Sequence, residues 1–391
     1  MGRGSDLGIA HWLRLVAKPT VPLALLAIAV AGCGAPAPAC ISLSKLAPVP
    51  PSTTEQPIAE TSPAVAGLAR QYEPTVKMSI LDGYWPVSVP TVLAERGAYG
   101  GRVTLVSHGR VIADPPTIAD LQPPDTAKSH LDAAKSFLEY PAVLTDKKAQ
   151  VRAVLRGLGL PESTVESWPT NLNSVATHKA QIYFYDAGTR CSYAGRDLTG
   201  YRALEYWFFY GLNYYPMTVD TPTMLQRPLR ADTSDIDFHE GDWEHVTVLL
   251  QPQGSDYVPR YVWMARHSNE GMLIPWDRIE HDATGHPVVY PAFGGHPSYP
   301  SCGAHPRALL VAAVYDYVVC VPGLYTLNAS STPLVDLAKV SWSCWPGHFG
   351  TTVGTSASSN ADDPTGMILV GGPSSPLQQA ENKGVCPKPT G

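Results

Sequence analysis

The stretch Phe238 to Leu250, FHEGDWEHVTVLL, holds two histidines, three acids and a tryptophan within seven residues and then runs into an apolar segment. In an extended chain, alternate residues share a face, so Asp242, Glu244, Val246, Val248 and Leu250 line up together. Two carboxylates side by side repel each other, and a cation between them removes that cost. His239, just ahead of them, is the expected third ligand. Oxygen donors of this kind favour Ca²⁺ or Mg²⁺, with Zn²⁺ open to the imidazole. The same groups also suit acid–base chemistry. Glu240 or Glu244 would act as general base, and His267 or His296 would protonate or stabilise a leaving group. The plainer alternative is a strand end carrying solvated charges.

These side chains need strands to hold them. Val258 to His267 reads as the next antiparallel strand, and the end of one such strand lies beside the start of its neighbour, which would carry His267 toward His239. The following GHPVVYPAFGGHPSYPSCG, punctuated by Gly and Pro, adds His286 and His296. Tyr201 to Pro216, YRALEYWFFYGLNYYP, is apolar on both faces of a strand and therefore reads as buried on both sides. Its polar end, with Asn213, Tyr214 and Tyr215, is expected at the rim of a site. Asn213, Tyr215, His286 and His296 are the expected ligand contacts.

The 38 Pro and 33 Gly, with only 16% charged residues, favour short strands and turns, and the predicted fold is mainly β, an antiparallel sandwich. Residues 66–356 form its domain. Ala127 to Leu138 and Asp146 to Leu155 have helical spacing, which predicts a helical insertion over about 125–168. Val103 to Val106 and Val111 to Ala113 flank a hairpin tip at Ser107-His108-Gly109-Arg110. Residues 357–391 read as a loose tail that Cys386 would pin.

At the other end, Arg3, Arg14 and Lys18 precede the apolar run Val21 to Ala31 and the sequence Val30-Ala31-Gly32-Cys33. This resembles a bacterial lipoprotein signal over residues 1–33, with Cys33 acylated; an ordinary secretory cut near Ala35 to Ala39 is the alternative. Both place the protein outside the cytoplasm, and the first tethers it to a membrane face through lipid. Residues 34–65, rich in Ala, Pro, Ser and Thr, read as a disordered tether. Removal of residues 1–33 leaves 25 basic against 33 acidic residues, a balance that argues against nucleic acid as a partner. Beyond Cys33, six cysteines remain (Cys40, Cys191, Cys302, Cys320, Cys344 and Cys386), an even number suited to disulfides in an exported protein. No Gly-x-Ser-x-Gly elbow or Walker loop is present.

Four blocks resemble the vacuolar protein sorting 62 family: Arg70 to Val89, Glu205 to Asn213 with EYWFFYGLN, His239 to Val246 with HEGDWEHV, and Gly285 to Gly303. More distantly, the HEGDWE core is similar to the GHRHDWE motif of the necrosis- and ethylene-inducing-peptide-like proteins. Those are secreted β-sandwiches in which His, Asp and Glu line an acidic cavity with a divalent cation and sphingolipid head groups bind. The resemblance carries His239, Asp242 and Glu244 over as metal ligands. Glu240 and Gly241 depart from the motif's Arg and second His, which implies a different ligand set. The expected function is a membrane-anchored lipoprotein whose cation-centred acidic site binds an envelope lipid or glycan head group. The alternatives are a metal-dependent hydrolase and a structural envelope protein, and whether the chain is an enzyme stays open.

Overall fold

The computed structural model describes residues 55–121 (apart from 56, 61, 81, 83 and 95–102), 136–139, 180–220 (apart from 216–217), 237–266, 271–350 (apart from 310–311 and 322), 368–369, 372–379, 382 and 386. Its strands in chain order are β1 (Thr75–Ser79), β2 (Thr104–Ser107), β3 (Arg110–Ala113), β4 (Ser136–Glu139), β5 (Ile182–Tyr193), β6 (Arg196–Tyr215), β7 (Thr218–Asp220), β8 (Asp237–Gln253) and β9 (Asp256–Met264). They continue with β10 (Met272–Pro275), β11 (Val288–Pro291), β12 (Ser298–Tyr299), β13 (Gly303–Leu309), β14 (Ala312–Val318), β15 (Leu324–Leu327), β16 (Leu334–Asp336) and β17 (Ile368–Leu369). Two short helices, α1 (Pro63–Gln71) and α2 (Val89–Ala94), precede β1 and β2.

The central sheet has the order β10-β9-β8-β6-β5-β16, with β17 pairing β8 in parallel near Asp237 and Phe238. Strand β6 lies antiparallel to β8 in one unbroken register, with Tyr210 opposite Asp242 and Asn213 opposite His239. Both faces of this sheet are covered, as the apolar pattern of β6 predicts. Tyr206, Phe208, Tyr210, Val246, Val248 and Leu250 join one apolar cluster with Val76, Met78, Val289 and Leu327. Those partners come from the second sheet, β12-β11-β1-β15, which makes the sandwich. On the opposite face Trp207, Phe209, Trp243 and Leu249 cluster with Leu105, Leu138, Trp342, Trp345 and Phe349. Removing aromatic rings of this size from water is the main force fixing the layers.

Three expectations need correction. Ser136–Glu139, at the end of the predicted Ala127–Leu138 helix, is strand β4 and pairs with β2. Its burial alternates, and Leu138 is fully buried, so the local period is that of a strand. The rest of the 125–168 segment lies outside the described residues, as do Cys33, Cys40 and the lipoprotein signal. The folded part starts before residue 66. Ser62 caps α1 by accepting from Val65 N, Ile58 is buried, and Glu55 accepts from Gln181 Nε2 at 2.7 Å and Tyr183 Oη at 2.8 Å.

The described part of the 357–391 tail is built into the fold. Cys344–Cys386 ties it down, Leu377 is buried, and the buried Asn382 donates to Glu205 Oε2 and accepts from Arg190 Nη2. A second disulfide joins Cys302 to Cys320. The predicted hairpin is present, and His108 and Gly109 at its tip both have positive φ, the primed-turn geometry that suits a right-twisted ribbon.

Candidate functional site

Strand β8 presents its charged half beyond the point where β9 stops pairing with it. The paired register of β8 and β9 starts at Val246–Met264, and Ala265 N donates to His245 O at 3.2 Å, which extends the ladder by one step. On the other edge, β6 continues to Asp237. Gly241 sits in this half with φ +63, and a Cβ there would stand 1.8 Å from Phe349 O. Gly350 has the reciprocal constraint against Glu240 O at 1.9 Å. Two backbones cross here at a distance that only glycine permits.

Asp242 lies on the Tyr210 face, and the histidine that reaches it is His296. Nδ1 of His296 donates to Asp242 Oδ2 at 3.0 Å, and Nε2 lies 3.5 Å from Asp82 Oδ1. The imidazole stacks flat on Tyr210, with ring centroids 4.0 Å apart and planes 4° apart. His296 has no exposed surface, and its φ of +58 is one that a non-glycine residue rarely adopts. Asp82 is locked from its own side, accepting from Tyr84 N and Gly294 N, both at 3.0 Å. The latter bond ties Asp82 to the turn that carries His296. Burial alone would push the His296 imidazole down, but the Asp82 charge and the bond to Asp242 outweigh it and hold the pKa at about 9. At neutral pH the centre is therefore an imidazolium between two carboxylates. Burial, and then the charges of Asp242, Glu244 and Asp82, hold the Tyr210 phenol well above its ordinary value, so it keeps its proton.

The remaining predicted site residues fall as follows. His239 belongs to the odd-numbered set of β8 with Trp243, opposite Asp242 by alternation, and both its ring nitrogens are occupied. Asn213 Nδ2 donates to Nε2 at 2.8 Å, and Nδ1 donates to Gly241 O at 2.7 Å. Asn213 thus meets His239 and stays apart from the Asp242 pairing. Glu240 is buried at the glycine crossing, and Glu244 is half-buried. His286 Nδ1 donates to the Glu73 carbonyl at 2.9 Å, at the pairing of β1 with β11. The side chain of Tyr215 and the whole of His267 lie outside the described residues.

Among the described residues no three of His, Cys, Asp and Glu stand so as to hold a metal ion. The His239 nitrogens are spent on Asn213 and Gly241, and Asp242 Oδ2 is taken by the imidazolium. Sequence reasoning missed Asp82 and Tyr210 as members of this centre. Asp82 carried a usable signal, since it is an acid set in the aromatic segment SILDGYWPVSV.

No protein-family model and no curated protein matches this sequence. Among solved structures, similarity is found to the crystal structure of Necrosis and Ethylene inducing Protein 2 from the causal agent of cocoa's witches' broom disease. That match has 17% identity and a TM-score of 0.20, and covers 41% of this chain and 52% of that one. The match thus spans about half the length of that protein, and at this score it carries no argument about function.

Proposed function

We propose that this chain is an exported binding protein, held to a membrane face by lipid on Cys33, that takes a polar head group of a lipid or glycan where Asp242 and Glu244 end the central strand. The observation that supports this reading is the buried imidazolium of His296. Three separate segments bring Asp82, Asp242 and His296 together, a non-glycine residue is held at positive φ to do so, and the apolar core on that face gains nothing from the charges. Buried charge and backbone strain of this kind collect at functional sites. In this reading His296 fixes the orientation of Asp242, and Glu244, the half-buried member, contacts the ligand directly. The sequence-level expectation of a bridging Ca²⁺, Mg²⁺ or Zn²⁺ is here replaced by direct carboxylate contact.

The geometry favours binding over hydrolysis. His296, whose raised pKa marks it out at this centre, has no surface on which to meet a substrate.

The test is a head-group panel of monosaccharides, amino sugars and phospholipid head groups, titrated calorimetrically into the full chain and into Glu244→Gln, with and without a chelator. Saturable binding to one class that survives chelation and weakens at least about tenfold in the variant supports the reading, since a direct charged hydrogen bond is worth that much. No saturable binding to any member would overturn it.

A further inference from the structure

The hairpin of β2 and β3 has one strand in the core and one outside it. On β2, Leu105 is buried in the cluster that holds Val103, Leu138 and Trp207, Val106 is buried too, and Ser107 Oγ meets Ser136 Oγ at 3.0 Å. Pairing with β4 fixes the far side of that strand. β3 is the edge of the three-stranded sheet, and its Arg110, Val111 and Ile112 are all exposed. Val111 keeps 57% of its surface in solvent and Ile112 keeps 48%. Single exposed apolar residues are ordinary, but packing gives no reason for two adjacent ones on a strand held out from the core.

The charge along this stretch is equally local. From Arg96 to Ala113 the sequence carries Arg96, Arg102, His108 and Arg110 and no acid, in a chain whose formal net charge is −6. Arg110 directly adjoins the apolar pair. Cationic side chains beside apolar ones, on a protein that is acidic elsewhere, suit an anionic partner that also offers apolar contact.

A strand of another protein and an anionic bilayer both have that chemistry, and the register of the hairpin favours the bilayer. Ala113 pairs with Leu105 and Val111 with Val106, so Ile112 has no residue opposite it and the ladder is bulged there. A bulge on an edge strand breaks the regular row of donors and acceptors that an added strand needs. A bilayer interface asks for no register. It takes apolar side chains at the acyl boundary while an arginine reaches back to the phosphates. The open backbone edge of β3 limits the depth, because its unpaired groups must stay among hydrated head groups.

We propose that the β2–β3 hairpin is a membrane contact, with Val111 and Ile112 set into the interface of an anionic bilayer and Arg110 on its lipid phosphates. This surface shares no residue with the Asp242 centre, and it stands or falls independently of the head-group reading above.

The full chain is mixed with vesicles of phosphatidylcholine alone and of phosphatidylcholine with phosphatidylglycerol, and hydrogen exchange is read over residues 104–113. Exchange from Gly109 to Ala113 should slow at least about fivefold on the phosphatidylglycerol vesicles, the gain expected from one arginine at an anionic surface, and should keep its solution rate on phosphatidylcholine. High salt should weaken the protection. A variant combining Arg110→Gln, Val111→Ser and Ile112→Ser, all at exposed positions, should melt with the parent and lose the protection. Should that variant fold poorly, Arg110→Gln alone, which keeps the apolar pair, should reduce the protection several-fold. Equal exchange on the two kinds of vesicle, or protection that survives in the variants, overturns the proposal. Protection that appears without vesicles and grows with protein concentration also overturns it, and assigns the hairpin to a contact between copies of the chain.

Discussion

The buried imidazolium makes a prediction that can be worked through from the structure. The folded protein holds His296 at about 9 against an ordinary 6.5. At about 1.4 kcal/mol per tenfold change in proton affinity, the clamp contributes on the order of 3 kcal/mol. The residue has no exposed surface, so solvent does not discount this figure. The sign follows from the raised value: below about 6.5 both folded and unfolded histidine are charged and the contribution is complete. Between about 6.5 and 9 the unfolded chain loses the proton first, and the stabilisation drains away as pH rises. The perturbation is His296→Asn, because Asn tolerates positive φ and the variant isolates the charge from the backbone strain. At pH 6 it should cost about 3–5 kcal/mol, the cost of leaving buried carboxylates without their partner. Urea unfolding from pH 6 to 10 is the assay. The parent should lose on the order of 3 kcal/mol more than the variant across that window. Parallel curves for the two proteins would refute the clamp.

Three further outcomes follow from the geometry. Gly241→Ala should destabilise by more than about 3 kcal/mol, combining strain at positive φ with a Cβ driven to 1.8 Å from Phe349 O, and thermal melting will show it. Glu55, raised by burial from 4.5 to about 7, gives docking of its segment that is strongest below about pH 4.5 and weakens as pH rises from there to about 7. Limited proteolysis of the segment should therefore increase between about pH 4.5 and 7 in the parent and level off above that, and Glu55→Gln should abolish that pH dependence. Cys386→Ser opens a loop of sequence separation 42, and the chain-entropy relation gives a loss of about 4 kcal/mol. The matching change at Cys302, which closes a separation of 18, should cost about 3 kcal/mol by the same relation, and urea unfolding can rank the two.

The strands were legible where their period was clean. The alternation from Asp242 to Leu250 and the two apolar faces of Tyr201 to Pro216 are local patterns, and burial enforces them directly. The ligand set was not legible in the same way, although one clue was present. The strand begins at Asp237, so His239 falls in the odd set and Asp242 in the even set. Reading His239 as lying ahead of the strand hid that parity. The partner of Asp242 is His296, which also faces Asp82, and both lie far away in the chain, where no local pattern brings distant loops together. The tail misled through composition. Its Ser, Gly and Pro content is that of a loose segment, yet Cys386, Leu377 and the Asn382 contacts with Glu205 and Arg190 hold it through a few specific interactions. The predicted helix ending at Leu138 failed because pairing of Ser136–Glu139 with β2, which buries Ser136 and Leu138, outweighs helical propensity.

The most direct test of the central claim is an imidazole ¹⁵N NMR titration of His296 in the full chain, with and without the head groups of the panel. The account predicts a doubly protonated ring at pH 7.5 that titrates near 9, with both ring signals shifting in saturable fashion as the head group is added. A neutral ring at pH 7.5, or ring signals indifferent to every head group in the panel, would contradict it.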